Sequence, residues 1–160
     1  MKTLFILIIS VLFFSFTANA ASKDDGLSAL ARQDYKAAFL HLQEAAQQKD
    51  AEAQYHLGML YEKGQGVRQD YDKAAFWYKK AVKQDHVLAQ NALGFLYYNG
   101  KGVARDLVIS LALFNIAAAR GNADAFQNSY IAASTISFKN FDKAKYLSAN
   151  RKRLYAMIGG

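Results

Sequence analysis

Three histidines, thirteen acidic side chains and a set of glycine-rich turns are the groups in this 160-residue chain that could do chemistry. None is spaced for it. His41, His56 and His86 form no H-E-x-x-H pair and no other metal-ligand pattern, so each reads as a surface or half-buried helix residue. The turns Lys63-Gly64-Gln65-Gly66 and Asn99-Gly100-Lys101-Gly102 lack the G-K-[ST] that would complete a phosphate cradle. G-x-S-x-G, S-x-x-K and K-T-G, the local signatures of an activated serine, are absent. No cysteine is present to serve as nucleophile, ligand or disulfide partner. The chain reads as non-catalytic, with no cofactor and no metal expected.

What the sequence does carry is a repeat. Residues 51–86 laid over 87–122 coincide at eleven positions: Ala53/Ala89, Gln54/Gln90, Leu57/Leu93, Gly58/Gly94, Leu60/Leu96, Tyr61/Tyr97, Gly64/Gly100, Gly66/Gly102, Val67/Val103, Asp70/Asp106 and Ala81/Ala117. A fixed 36-residue period decides architecture before any single residue does. Each unit reads as helix, glycine turn, helix. Ala53, Leu57 and Leu60 recur at helical spacing. Asp50 and Asp70 stand where N-caps belong, and Gly64 suits the left-handed position that ends a helix. A glycine within a helix costs about 1 kcal/mol against alanine, so Gly58 and Gly94 imply close approach by a neighbouring helix. Gly66 permits the chain to reverse, and Val67 plugs the turn into the core.

The flanks follow the same register. Asp24 or Asp25 is the expected cap of a short helix through Leu27 and Leu30, and Asp34 caps a second that buries Ala38, Leu42 and Ala45. From Ala123, behind Asn122 as cap, the pattern begins correctly and then degrades. Ser137-Phe138-Lys139-Asn140 takes the place of the glycine turn, and one last helix ends in Arg151-Lys152-Arg153. Terminal units of solenoids are atypical because one face lacks a neighbour. The fold expected is all-α: a right-handed α/α superhelical solenoid of about four antiparallel helix pairs. Its single domain spans 21–160, with a truncated repeat at 21–50, repeats at 51–86 and 87–122, and a degenerate cap at 123–160.

Ahead of it, Lys2, an apolar run from Leu4 to Phe16 and Ala18-Asn19-Ala20 form the pattern of a secretory leader cleaved after Ala20. The run is too short to span a bilayer comfortably. Its removal leaves 19 basic and 13 acidic residues, or +6. An exported chain without cysteine must be held together by packing alone, and a bacterial periplasm is the expected location. From Lys139 to Arg153 there are six basic residues and one acidic. That run reads as a solvated face, with weak contact to an anionic lipid or envelope-polymer surface, or to an acidic protein partner, as alternatives. No nucleic-acid partner is expected.

The residues quoted above resemble the Sel-one-like repeat family of tetratricopeptide-type solenoids: Ala53, Gln54, Leu57, Gly58, Tyr61, Gly64, Gly66, Val67, Asp70, Ala74, Trp77, Tyr78 and Ala81 all match its pattern. Leu113-Phe114 replaces Trp-Tyr in the next unit, and Asp85 replaces a common glycine. The resemblance implies an adaptor or regulator that binds a protein partner on a concave helical face, and a monomer is expected. An immunity or inhibitor protein that neutralises a toxic effector is the alternative.

The matched positions are structural, so candidate partner-binding residues are those the pattern leaves free. On successive first helices these are Tyr55, Met59 and Glu62, then Asn91, Phe95 and Tyr98, with Gln127, Ile131 and Ser134 continuing the row. Spacing of i, i+4, i+7 sets each trio in one stripe. Partial exposure is expected for Tyr55, Glu62 and Tyr98. Met59, Phe95 and Ile131 could join a recognition surface, but packing between helices is the arrangement expected of them.

Overall fold

A computed structural model describes residues 22–159; the leader pattern lies outside the described residues. They contain helices and turns and no strand. Helix α1 covers 22–31, followed by α2 (Tyr35–Gln47), α3 (Ala51–Lys63), α4 (Tyr71–Val82), α5 (Val87–Asn99), α6 (Leu107–Ala119), α7 (Ala123–Ser134), α8 (Phe138–Ala149) and α9 (Arg151–Ile158). Pairs α3/α4 and α5/α6 pack most closely, and α2/α3 and α4/α5 join one pair to the next.

Two ladders of caps set where these helices begin. Asp34, Asp70 and Asp106 cap α2, α4 and α6, each side chain accepting from a backbone N–H two or three residues on. Asp50, His86 and Asn122 cap α3, α5 and α7 in the same way. Each ladder has 36-residue rungs, and each cap supports its helix by about 1 kcal/mol. His86 caps where the preceding rung has a carboxylate. Its Nδ1 accepts from Ala89 N–H at 3.2 Å, which requires a neutral ring.

The repeat glycines answer to sterics. The ring of Tyr78 lies against Gly58, where an added Cβ would meet Cδ1 and Cε1 at 2.7 Å. Phe114 lies on Gly94 in the same way. The close approach expected at these glycines is therefore made chiefly by an aromatic ring of the paired helix, with the Ala74 carbonyl also near Gly58. Gly66, at φ +70°, packs on the previous unit; a Cβ there would stand 2.1 Å from the Tyr35 carbonyl oxygen. Gly102 meets the Tyr71 carbonyl likewise at 2.0 Å. These two glycines close the seam between successive units as well as reversing the chain.

The core runs through Ala38, Leu42, Leu57, Leu60, Tyr78, Leu93, Leu96 and Phe114. Small residues at the helix crossings allow near approach, and Phe39 meets Tyr61 edge-on at 5.6 Å across the α2/α3 seam. Helix α6 is apolar nearly all round and buried throughout its middle, because α5, α7 and α8 surround it.

Both ends depart from expectation. The first described helix already runs at residue 22, so Asp24 and Asp25 lie inside it as exposed helical residues and cap nothing. Ser137-Phe138-Lys139-Asn140 is no turn: Ser137 is the N-cap of α8 and the others form its first turn, since a serine capping N–H groups serves as well as the aspartate used elsewhere. Helices α7 and α8 each pack on α6 more than on each other. The final helix is interrupted at Asn150, so Arg151-Lys152-Arg153 opens α9 and does not close α8.

Helix α9 turns back along the molecule. Leu154 and Ile158 are fully buried. Tyr155 donates to Asp85 at 2.7 Å and accepts from Gln90 Nε2 at 2.9 Å. Arg151 pairs with the same Asp85 oxygen at 2.9 Å.

Candidate partner-binding face

The free positions on α3 are tied into an aromatic network. The Tyr55 ring stacks on His86 at 5.0 Å and on Tyr78 at 5.9 Å, and meets His56 edge-on at 4.9 Å. Tyr78 in turn donates its hydroxyl to Glu62 Oε2 at 2.6 Å. Tyr55 and Glu62, two positions of one stripe, are thereby held by the same buried residue. Met59 lies between them, half-buried.

Register explains why only this unit has the link. Tyr78 and Glu62 become Phe114 and Tyr98 one period later, losing the donor hydroxyl and the carboxylate together. Burial raises the Tyr78 pKa, and the Glu62 carboxylate adds to the shift, so the hydroxyl stays protonated. Burial also lowers His56 and His86. The His56 Nδ1 is buried with no partner among the described residues.

Further along, the face opens. Phe95 is 45% exposed and Ile131 43% exposed, so neither is packed away between helices. Asn91 accepts from Asn128 Nδ2 at 3.0 Å, joining α5 to α7. Tyr98 is half-buried, and Gln127 and Ser134 are exposed. Tyr55, Glu62 and Tyr98 all have the partial exposure expected of them.

Two residues of this face escaped the stripe. Leu88, 46% exposed, stands seven residues before Phe95 and so on its side of α5. Asn128 rather than Gln127 makes the inter-helix contact. The i, i+7 relation could have found Leu88; nothing in the sequence singles out Asn128. Among the described residues no group of three His, Asp or Glu side chains could hold a metal ion.

Comparison with known proteins agrees on architecture. The family model described as Sel1 repeat matches residues 20–50, 51–86 and 87–122. No curated protein matches the chain. Among solved structures, a protective antigen present in uropathogenic Escherichia coli strains, displaying an SLR fold, gives a TM-score of 0.81 at 31% identity over 86% of this chain. The chain spans 30% of that antigen's length. A Sel1 repeat protein from Oxalobacter formigenes gives 0.65 at 28% identity, covering 76% of this chain and 97% of its own. Helicobacter pylori cysteine rich protein B gives 0.53 at 31% identity over 56% and 68% respectively. The present chain is similar to it without a single cysteine.

Proposed function

We propose, from the premise that this chain belongs to the Sel1 repeat family, that it is a non-catalytic adaptor or regulator of the bacterial periplasm that binds a protein partner across α3, α5 and α7. Proteins of this family generally serve as protein–protein interaction modules and are typically non-catalytic scaffolds. The observation that carries the reading here is Phe95. It is a large apolar side chain, 45% exposed, on a helix whose repeat positions are otherwise buried. Leu88 and Ile131 extend an apolar row beside it, and Tyr55 and Glu62 are held in place by Tyr78 at its other end. Rigid aromatic anchors with a polar margin are what a recognition surface needs. The secretory leader pattern supports the periplasmic assignment.

The test is capture from a periplasmic extract with the wild-type protein and a Phe95→Ala, Ile131→Ala variant. The wild type retains a partner that the variant loses, while helical content by circular dichroism is unchanged. Retention by both would remove these helices from the interface. One partner at nanomolar affinity would point to an inhibitor or immunity role, and several weaker ones to a scaffold.

A further inference from the structure

We propose that a second surface, built by α4 and α9, docks on an anionic lipid bilayer. Helix α9 is amphipathic in place. Leu154 and Ile158 face the body, leaving Lys152, Arg153 and Met157 outward, with Met157 46% exposed. Its last residue Ile158 and the following Gly159 border a shallow depression of about 230 Å³ together with Phe76, Lys79 and Lys80 of α4 and its C-cap Lys83. The C-terminal end of α9 therefore adjoins the lysine row that runs along α4. Phe76 is 52% exposed, and the Lys80 ammonium sits 4.8 Å from its ring centre.

Charge decides the occupant. Among the described residues, the ion pairs involve Lys23, Lys73 and Arg151, which leaves Lys80, Lys152 and Arg153 without a carboxylate partner. Asp72 is the one acidic side chain bordering the depression, and Asp85 is taken up by Arg151 and Tyr155. Phe76 and Met157 are exposed among long cationic side chains. A bilayer interface accommodates that arrangement: ammonium and guanidinium groups at the phosphates, with ring and thioether tips among the upper acyl carbons. This surface is distinct from the α3/α5/α7 face, so a protein partner and a membrane could be engaged together.

The test is co-sedimentation of the purified protein with vesicles of phosphatidylglycerol and phosphatidylethanolamine, against vesicles of phosphatidylcholine alone. Binding to the anionic vesicles at low salt, loss at high salt and no binding to the neutral ones is the expected result. Lys152→Ala with Arg153→Ala lowers the partition by about 25-fold, at roughly fivefold per cation. Phe76→Ala weakens it further, whereas Lys36→Ala on exposed α2 has no effect. Equal binding to both vesicle types, no binding to anionic vesicles, or a double variant indistinguishable from wild type would each overturn the proposal. Loss of an acidic protein from an extract by the double variant, without vesicle binding by the wild type, would reassign the surface to that protein. All four substituted side chains are exposed, so thermal unfolding should be unchanged.

Discussion

The hydroxyl of Tyr155 donates to Asp85 Oδ1 at 2.7 Å across seventy residues of chain. Asp85 holds that position at φ 61°, a left-handed conformation that side chains other than glycine adopt at a cost. One period later the equivalent residue is Gly121, also left-handed. Aspartate replaces glycine where a carboxylate is needed to anchor α9. Asp85→Gly should therefore change global stability little, since relief of about 1 kcal/mol of backbone strain offsets the lost hydrogen bonds. It should still loosen α9. Trypsin cutting after Arg151, Lys152 or Arg153 should become faster in this variant, as followed by mass spectrometry. An unchanged cutting rate would mean that Leu154 and Ile158 alone hold the helix.

Alkaline stability should report on the same contact. Burial, reinforced by the hydrogen bond to Asp85, pushes the Tyr155 pKa up to about 12. The folded state thus keeps a proton that the unfolded chain loses near pH 10. The stability this contributes is complete below pH 10 and is lost as pH rises through 12. Urea unfolding at pH 8 and above should show a steeper alkaline decline for the wild type than for Tyr155→Phe. The variant should also be less stable at pH 8 by about 1–2 kcal/mol, because buried Gln90 loses a partner.

His86 works in the opposite direction. Burial lowers its pKa, with Arg120 contributing and the Glu52 and Asp50 carboxylates opposing. Stability from keeping it neutral is full above the unfolded value of about 6.5 and is lost as pH falls through the lower folded value. His86→Asn keeps a capping acceptor without a titrating ring and should flatten that acid decline. His86→Ala should cost about 1 kcal/mol at neutral pH through loss of the cap. Parallel denaturation curves at pH 5 and pH 8 check both.

Glycines of the same conformation should differ sharply in tolerance. Gly121 has open space around it, so Gly121→Ala should cost only about 1 kcal/mol of backbone strain. Gly66→Ala would drive a methyl into the Tyr35 carbonyl and should cost about 3 kcal/mol or more. Equal losses in chemical denaturation would show that the seam yields easily.

The 36-residue register made the helix pairs, the aspartate caps and the turn glycines legible, because each is a local requirement restated in the next unit. His86 as a cap was hidden by its residue type, although its place between Asp50 and Asn122 was visible. The course of α9 was not legible, since nothing local distinguishes a helix that extends a stack from one that returns over it. Only Asp85, a departure from the common glycine, marked where it would land. The exposure of Phe95 and Ile131 depended on which neighbours α5 and α7 actually meet, and spacing alone does not supply that.

An open solenoid unravels from its ends, because each unit touches only the next and a terminal one can melt by itself. Returning α9 to Asp85 and Gln90 adds a long-range rung to this ladder of neighbours. The last helix cannot settle until units 51–86 and 87–122 have formed, and its loss removes support from both. The C-terminal half should unfold as one cooperative block in place of a zipper, at the cost of slower closure for a contact so distant in sequence.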